Sequence, residues 1–528
     1  MIKRTKALFI TAIMAFFCFL ILNVHAQKAD ILIQNGKVID GSGNSWFYAD
    51  VAIQSGKIVA VGKLTNWQAT KVIDANGFIV SPGFIDVHTH IEGDEEKNAT
   101  AKSFIYDGVT SVVTGNCGSS NTNLQSYFQK MDSLKLSINI ASLIGHNDVR
   151  KAVMGRANRK PTEAEMQQME AIVEQAMKDG AVGFSTGLIY IPGTYSETEE
   201  VVRLAKVAAK YNGIYASHIR SEGDSVVSAI SEAIEIGRLA KIPVQISHFK
   251  LSGQQNWGRS KETIPLITKA RTEGIEVTID QYPYTASSTN LGTLLPDWIL
   301  ADGQDSIVAR LSNPAIRKQA TDIMLQNLKK RGLKHYSYAV VAYFKNDTTF
   351  NGKSIEAINL LKGKKHHAKS EIETIFEMMI QGGSSMVFHG MSEADVKNIM
   401  QYPFNMFASD AGIRTFGAGN PHPRGYGTNA RVLKKYVRDE KVITLEEAIR
   451  RMTSLPAQKF QLKDRGFIRE GLQADIVVFD EKKVADLSTF DQPHQYSTGF
   501  QYVIVNGQLT VENGVHNETK NGCILKRQ

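Results

Sequence analysis

Ser81-Pro82-Gly83-Phe84-Ile85-Asp86-Val87-His88-Thr89-His90 is the stretch on which the fold turns. A Pro-Gly turn leads into a short apolar strand, and the end of that strand delivers two histidines two positions apart. Side chains at i and i+2 of a strand point the same way, so both imidazoles can face one metal ion. On its own the pair reads equally well as two ordinary polar histidines.

The same texture recurs downstream. Ser111-Val112-Val113 runs into Thr114-Gly115-Asn116-Cys117-Gly118, where flanking glycines permit a tight turn. A thiolate there is a strong zinc ligand. Ala216-Ser217-His218 and Ile246-Ser247-His248 each end an apolar strand. Their spacing is that of one βα unit, which places the two histidines on adjacent strands. Singly, each reads as a satisfied core histidine; together, a shared metal is the better reading. Asp410 follows Phe407-Ala408-Ser409. It fits a helix cap or a general base beside a metal site.

Candidate strands end near His90, Asn116, Ile144, Ser185, His218, His248, Asp280 and Ala408. Helix-patterned segments at residues 163–178, 198–210 and 226–239 alternate with them. Eight strand–helix units predict an α/β fold of the TIM (β/α)8 type over residues 83–464. In such a barrel the C-terminal strand ends converge on one face, where active sites are built. Residues 291–383 are too long for a simple loop and read as an inserted, lid-like segment. They carry a strand-like run at 336–343, and Met386-Val387-Phe388 just beyond is also strand-like. Short strands with Asn-Gly or Ser-Gly turns at Asn35, Ser55, Asn76 and Asn506 predict hairpins. They suggest a small β-sandwich domain built from both chain ends, residues 27–82 and 465–528.

The 528 residues are 42% hydrophobic and 22% charged, with a formal charge of +8. This is a globular composition. Lys3, Arg4 and Lys6 precede an apolar run to Val24, followed by Val24-His25-Ala26. Residues 1–26 therefore read as a signal peptide, with an uncleaved membrane anchor as the alternative. Cleavage implies an exported protein, periplasmic or secreted, with no stable membrane span. It removes three positive charges and leaves 8 − 3 = +5. No basic stripe argues for nucleic acid. Cys117 and Cys523 remain and are not expected to pair.

These residues resemble the amidohydrolase superfamily over nearly all of the mature chain. The stretch Ser81 to His90 looks like its first-strand signature. Met452-Thr453-Ser454-Leu455-Pro456-Ala457 and Gly471-Leu472-Gln473-Ala474-Asp475-Ile476-Val477 look like its exit from the barrel. Gly115-Asn116-Cys117-Gly118, Gly183-Phe184-Ser185-Thr186-Gly187-Leu188, Ser247-His248-Phe249-Lys250, Tyr282-Pro283-Tyr284 and Pro421-His422-Pro423-Arg424 are similar to its D-aminoacylase branch.

The resemblance implies a tight zinc on Cys117, His218 and His248, and a second, weaker site at His88, His90 and Asp410. It implies Asp410 as general acid/base. Lys250, Arg424 and one of Tyr282 and Tyr284 would bind the substrate carboxylate. His146 and His389 lie in similar segments without an assigned role. The implied activity is zinc-dependent hydrolysis of small N-acyl-D-amino acids. Two alternatives stand beside it: a dipeptidase for dipeptides ending in a D-residue, and a non-catalytic metal-bound binding protein.

Overall fold

A computed structural model describes residues 27–527; the expected signal peptide, residues 1–26, lies outside them. No helix among the described residues is long and apolar enough to cross a membrane.

The centre is an eight-stranded parallel sheet taken in strict chain order. Its strands are Phe84–Asp86, Val109–Thr114, Asn139–Gly145, Gly183–Gly187, Ile214–His218, Val244–Ile246, Val277–Gln281 and Asn405–Phe407. All are buried along their length, as strands covered on both faces must be. The first and last close on each other beyond their regular ends. Asp410 N–H donates to His88 O at 2.9 Å and His90 N–H to Ala411 O at 3.0 Å. Amphipathic helices between the strands, such as Glu163–Asp179 with its Thr162–Glu165 capping box, form the outer ring. The eight strand ends read from the sequence are those of this α/β barrel.

Both chain ends join in one nine-stranded mixed sheet. Its apolar face packs Ile33, Val51, Ile53, Val80, Ile476 and Ile504 together. Ser55-Gly56 and Asn506-Gly507 do connect antiparallel neighbours. Asn35-Gly36 does not. The strand Gln27–Val38 runs through it, and its register against Phe47–Gln54 shifts between Ile33 and Gly36. Asn35 takes φ 60° there, so the pair builds a bulge that absorbs an extra residue. Asn76-Gly77 likewise joins two strands that both lie parallel to Gln27–Val38, and so is no hairpin.

Between the seventh and eighth barrel strands, a three-stranded antiparallel sheet orders Ala286–Asn290, Ser385–His389 and Ala339–Tyr343. Met386-Val387-Phe388 is therefore its middle strand and not part of the barrel. Four helices, Gln304–Ser312, Pro314–Lys330, Ile355–Leu361 and Ala368–Ile380, share a separate apolar core with it. Cys117 and Cys523 are both free.

Candidate metal centre

The first barrel strand ends in Asp86, whose carboxylate accepts from the backbone N–H of His88 at 3.1 Å and of Ser409 at 3.0 Å. One buried side chain thus fixes the exit of the first strand against that of the last. Burial pushes the Asp86 carboxyl up to about 6, against these N–H bonds.

Cys117, His248 and Asp410 take φ of 52°, 34° and 50°. Left-handed backbone is unfavourable for residues with a Cβ and clusters at functional sites. Gly115 and Gly118 permit the turn at Cys117. A Cβ on Gly118 would lie 2.2 Å from Asn147 Oδ1, and one on Gly115 would lie 2.2 Å from Leu143 O.

The turns bring four donors together. Cys117 Sγ lies 3.3 Å from His88 Nε2, 3.5 Å from His218 Nδ1 and 3.5 Å from His248 Nε2. Tetrahedral zinc with Zn–S of about 2.3 Å and Zn–N of about 2.05 Å separates sulfur from nitrogen by roughly 3.6 Å. The Cys117–His218–His248 set therefore fits that ion's dimensions and its preference for sulfur and nitrogen. His88, His90 and Cys117 form an adjoining set, and His88, His248 and Asp410 a third. Asp410 Oδ1 is 3.3 Å from His90 Nε2 and 3.7 Å from His88 Nε2.

Burial raises the thiol's pKa, but His88, His218 and His248 outweigh it and hold Cys117 well below the usual thiol range. The Asp410 carboxyl is held well below its ordinary value too. Burial opposes this, and Arg424 with the surrounding imidazoles prevails. Burial would likewise lower His90, but Asp410 and Cys117 lift it to about 9. An anionic sulfur and carboxylate among imidazoles is the charge pattern a divalent cation requires.

Two residues that the sequence reading passed over orient this set. Glu222 Oε1 lies 2.9 Å from His248 Nδ1 and Lys250 Nζ lies 2.7 Å from the same nitrogen, which fixes the ring with Nε2 facing Cys117. The same oxygen accepts from Lys250 Nζ. Asp280 accepts from His248 N–H at 2.7 Å and lies 3.5 Å from His88 Nδ1. Their only sequence signals are an acid four residues after a strand-end histidine and an acid inside the seventh strand.

Of the residues read as carboxylate binders, three gather and one does not. Arg424 is buried, with Nη1 2.9 Å from Asp410 Oδ2 and its guanidinium carbon 4.5 Å from the Tyr282 ring centre. Lys250 Nζ stands 5.4 Å from that same ring centre. The Tyr282 hydroxyl and Arg424 Nε have no hydrogen-bond partner despite burial, an arrangement that calls for an acceptor. Tyr284 turns away, packing on His422 and Phe490 beneath Arg431. His146 pairs with Glu200 at 2.8 Å, away from the centre, and His389 lines the outer cavity wall.

A cavity of about 400 Å³ opens onto His218, His248, Lys250, Tyr282 and Asp410. The inserted segment supplies its outer wall, including Arg331, Tyr336, Tyr338 and Phe388. Its size suits one small molecule.

A family model described as amidohydrolase family matches residues 71–261 and 330–511. The chain is 33% identical to D-aminoacylase of Alcaligenes xylosoxydans xylosoxydans over 525 residues, covering 95% of this chain and 98% of that one. It is 35% identical over 503 residues to N-acyl-D-glutamate deacylase of the same organism, covering 91% and 93%. The crystal structure of N-acyl-D-glutamate deacylase from Bordetella bronchiseptica, complexed with zinc and a phosphonate mimic of the tetrahedral intermediate, superposes with a TM-score of 0.80. Its identity is 33%, over 95% of this chain and all of that one.

Proposed function

The chain belongs to the amidohydrolase family, among its metal-dependent N-acyl-D-amino-acid deacylases, and we propose that it hydrolyses the amide bond of small N-acyl-D-amino acids to a carboxylate and a free D-amino acid. One observation carries the reading: two unpartnered buried donors, Tyr282 Oη and Arg424 Nε, stand beside Asp410 and the Cys117 cluster.

Cys117, His218 and His248 hold the tighter zinc in this reading. His88, His90 and Asp410 make a second, weaker site. Zinc supplies the Lewis acidity that makes water a competent nucleophile near neutral pH and stabilises negative charge on the scissile oxygen. Arg424, Tyr282 and Lys250 bind the α-carboxylate, Arg424 through its planar fork. That anchoring sets the acyl carbon beside Asp410. As water attacks, the Asp410 carboxylate accepts its proton, and it then returns the proton to the leaving nitrogen. With carboxylate and acyl group both held, the pocket wall distinguishes the two hands at the α-carbon.

The test is a kcat/KM panel of N-acetyl-D-amino acids, their L-enantiomers, their carboxamides and dipeptides with a C-terminal D-residue. The D-acids should lead, and the carboxamides should fall by about two orders of magnitude, the value of a lost charge-assisted contact of about 3 kcal/mol. Faster cleavage of the dipeptides assigns the protein as a D-terminal dipeptidase. Zinc uptake with no turnover assigns it as a binding protein.

A further inference from the structure

The inserted segment gathers a second set of metal-binding donors, remote from the barrel mouth in the chain and built on different elements. His335 lies in the turn between helix Pro314–Lys330 and strand Ala339–Tyr343. Glu356 is on helix Ile355–Leu361, His366 in the loop after it, and Glu371 in the first turn of helix Ala368–Ile380. One ligand atom from each lies within 4.8 Å of all the others. His335 Nδ1 is 2.6 Å from Glu371 Oε1 and 3.7 Å from Glu356 Oε1, and His366 Nε2 is 2.6 Å from that same Glu356 oxygen.

The two histidine–carboxylate pairs meet at one oxygen, Glu356 Oε1. The Glu371 side chain is wholly buried. Its other oxygen accepts only the Tyr336 N–H, at 2.7 Å. Among the described residues, the groups within 4.0 Å that could carry positive charge beside Glu356 and Glu371 are these two imidazoles alone. Two carboxylates, one of them out of water, thus share this cluster with two imidazoles, a mixed nitrogen and oxygen donor set. The two rings stack with centres 4.2 Å apart and planes at 22°, so His366 must turn for both nitrogens to face one ion. One divalent cation would neutralise both carboxylates.

We propose that His335, Glu356, His366 and Glu371 form a structural site for a divalent transition metal of the zinc class. Two imidazoles exclude the all-oxygen preference of calcium and magnesium. Four protein ligands leave no open position, the pattern of a structural rather than a catalytic zinc. Bonds of about 2.0–2.2 Å require the 2.6 Å contacts to open slightly. His366, with its side chain 52% exposed, is free to move. A metal there ties two helices of the insertion, and the loop between them, to the turn that precedes Tyr336 and Tyr338, both of which line the substrate cavity. The site thus sets the rigidity of the cavity's outer wall without touching the reacting atoms.

Equilibrium dialysis of the full chain against buffered free zinc, with metal counted by mass spectrometry, tests this. Wild type should bind one equivalent more than His366→Gln, and Glu356→Gln should match His366→Gln. Cys117→Ser, which breaks the barrel-mouth cluster, should keep the extra equivalent, so the two centres are counted separately. Anomalous diffraction from a zinc-soaked wild-type crystal should show a peak between the four side chains. Equal uptake by wild type and His366→Gln throughout the titration overturns the proposal. So does a soaked crystal with no peak there.

Discussion

Replacing Arg424 with methionine keeps most of the side chain's bulk and removes its charge and its fork. In the folded protein this guanidinium is 4% exposed and lies 2.9 Å from Asp410 Oδ2. Removing one partner of a buried ion pair typically costs about 3–5 kcal/mol, because the other charge is left uncompensated. If about 3–4 kcal/mol of that is felt in the transition state, kcat/KM falls by roughly 10²–10³-fold. Loss of the carboxylate anchor should raise KM, and release of Asp410 should lower kcat. The pH profile separates the two effects. Arg424 helps hold Asp410 well below the ordinary carboxyl range against the effect of burial. Without Arg424, Asp410 takes up its proton at higher pH, so the acid limb of kcat/KM moves upward. Arg424→Lys should restore part of the activity, since lysine keeps the charge but not the two-pronged geometry. The assay is release of free D-amino acid across pH, with thermal melting as a fold control. An Arg424→Met enzyme within about threefold of wild type, with an unmoved acid limb, refutes the reasoning.

Cys117→Ala should lose zinc and turnover together, since the sulfur is within 3.5 Å of three imidazoles; wild-type zinc content by metal analysis removes it as a ligand. Asp410→Asn should retain zinc while turnover drops about 10²–10⁴-fold, the usual worth of a general acid/base; an undiminished rate assigns proton transfer elsewhere. Lys459 is buried beneath the barrel, donating to Val244 O at 3.0 Å and pairing with Glu276 at 3.1 Å. Burial brings it down to about 8 from an unfolded value of 10.5, against the pull of Glu276. Between those values the unfolded chain holds more protons, so stability climbs with pH, by at most about 3 kcal/mol. Lys459→Met should lack that slope in melts from pH 8 to 10.5, and parallel curves for the two proteins contradict the assignment.

What the sequence made legible was whatever a strand end carries by itself. His88, His90, Cys117, His218, His248 and Asp410 each follow an apolar run, and a barrel brings such ends to one mouth whatever the loops do. What it hid depends on how loops fold back. Glu222 reaches His248 from the preceding barrel unit, and Asp86 accepts from the backbone of Ser409, 323 residues away. Nothing local distinguishes either from a solvated acid or a strand terminus. Tyr282 and Tyr284 share one motif, and only their packing separates them, Tyr284 on Phe490 and Arg431 and Tyr282 on Arg424 and Lys250. Met386–Phe388 has the composition of a barrel strand. Its partners, Ala286–Asn290 and Ala339–Tyr343, decide otherwise, and they flank or lie inside the segment read as an insertion.

The junction of the first and last barrel strands has a kinetic consequence. It is made at the rim, by His88, His90, Asp410 and Ala411, and not along the strands' waists. Contacts so far apart in the chain carry a large loop-closure cost and tend to form late. A refolding chain can therefore lay down seven-eighths of the ring and still have no Asp410 beside His88. Recovery of bulk helical signal should precede recovery of turnover, because the last step of closing the hoop is also the step that assembles the catalytic machinery.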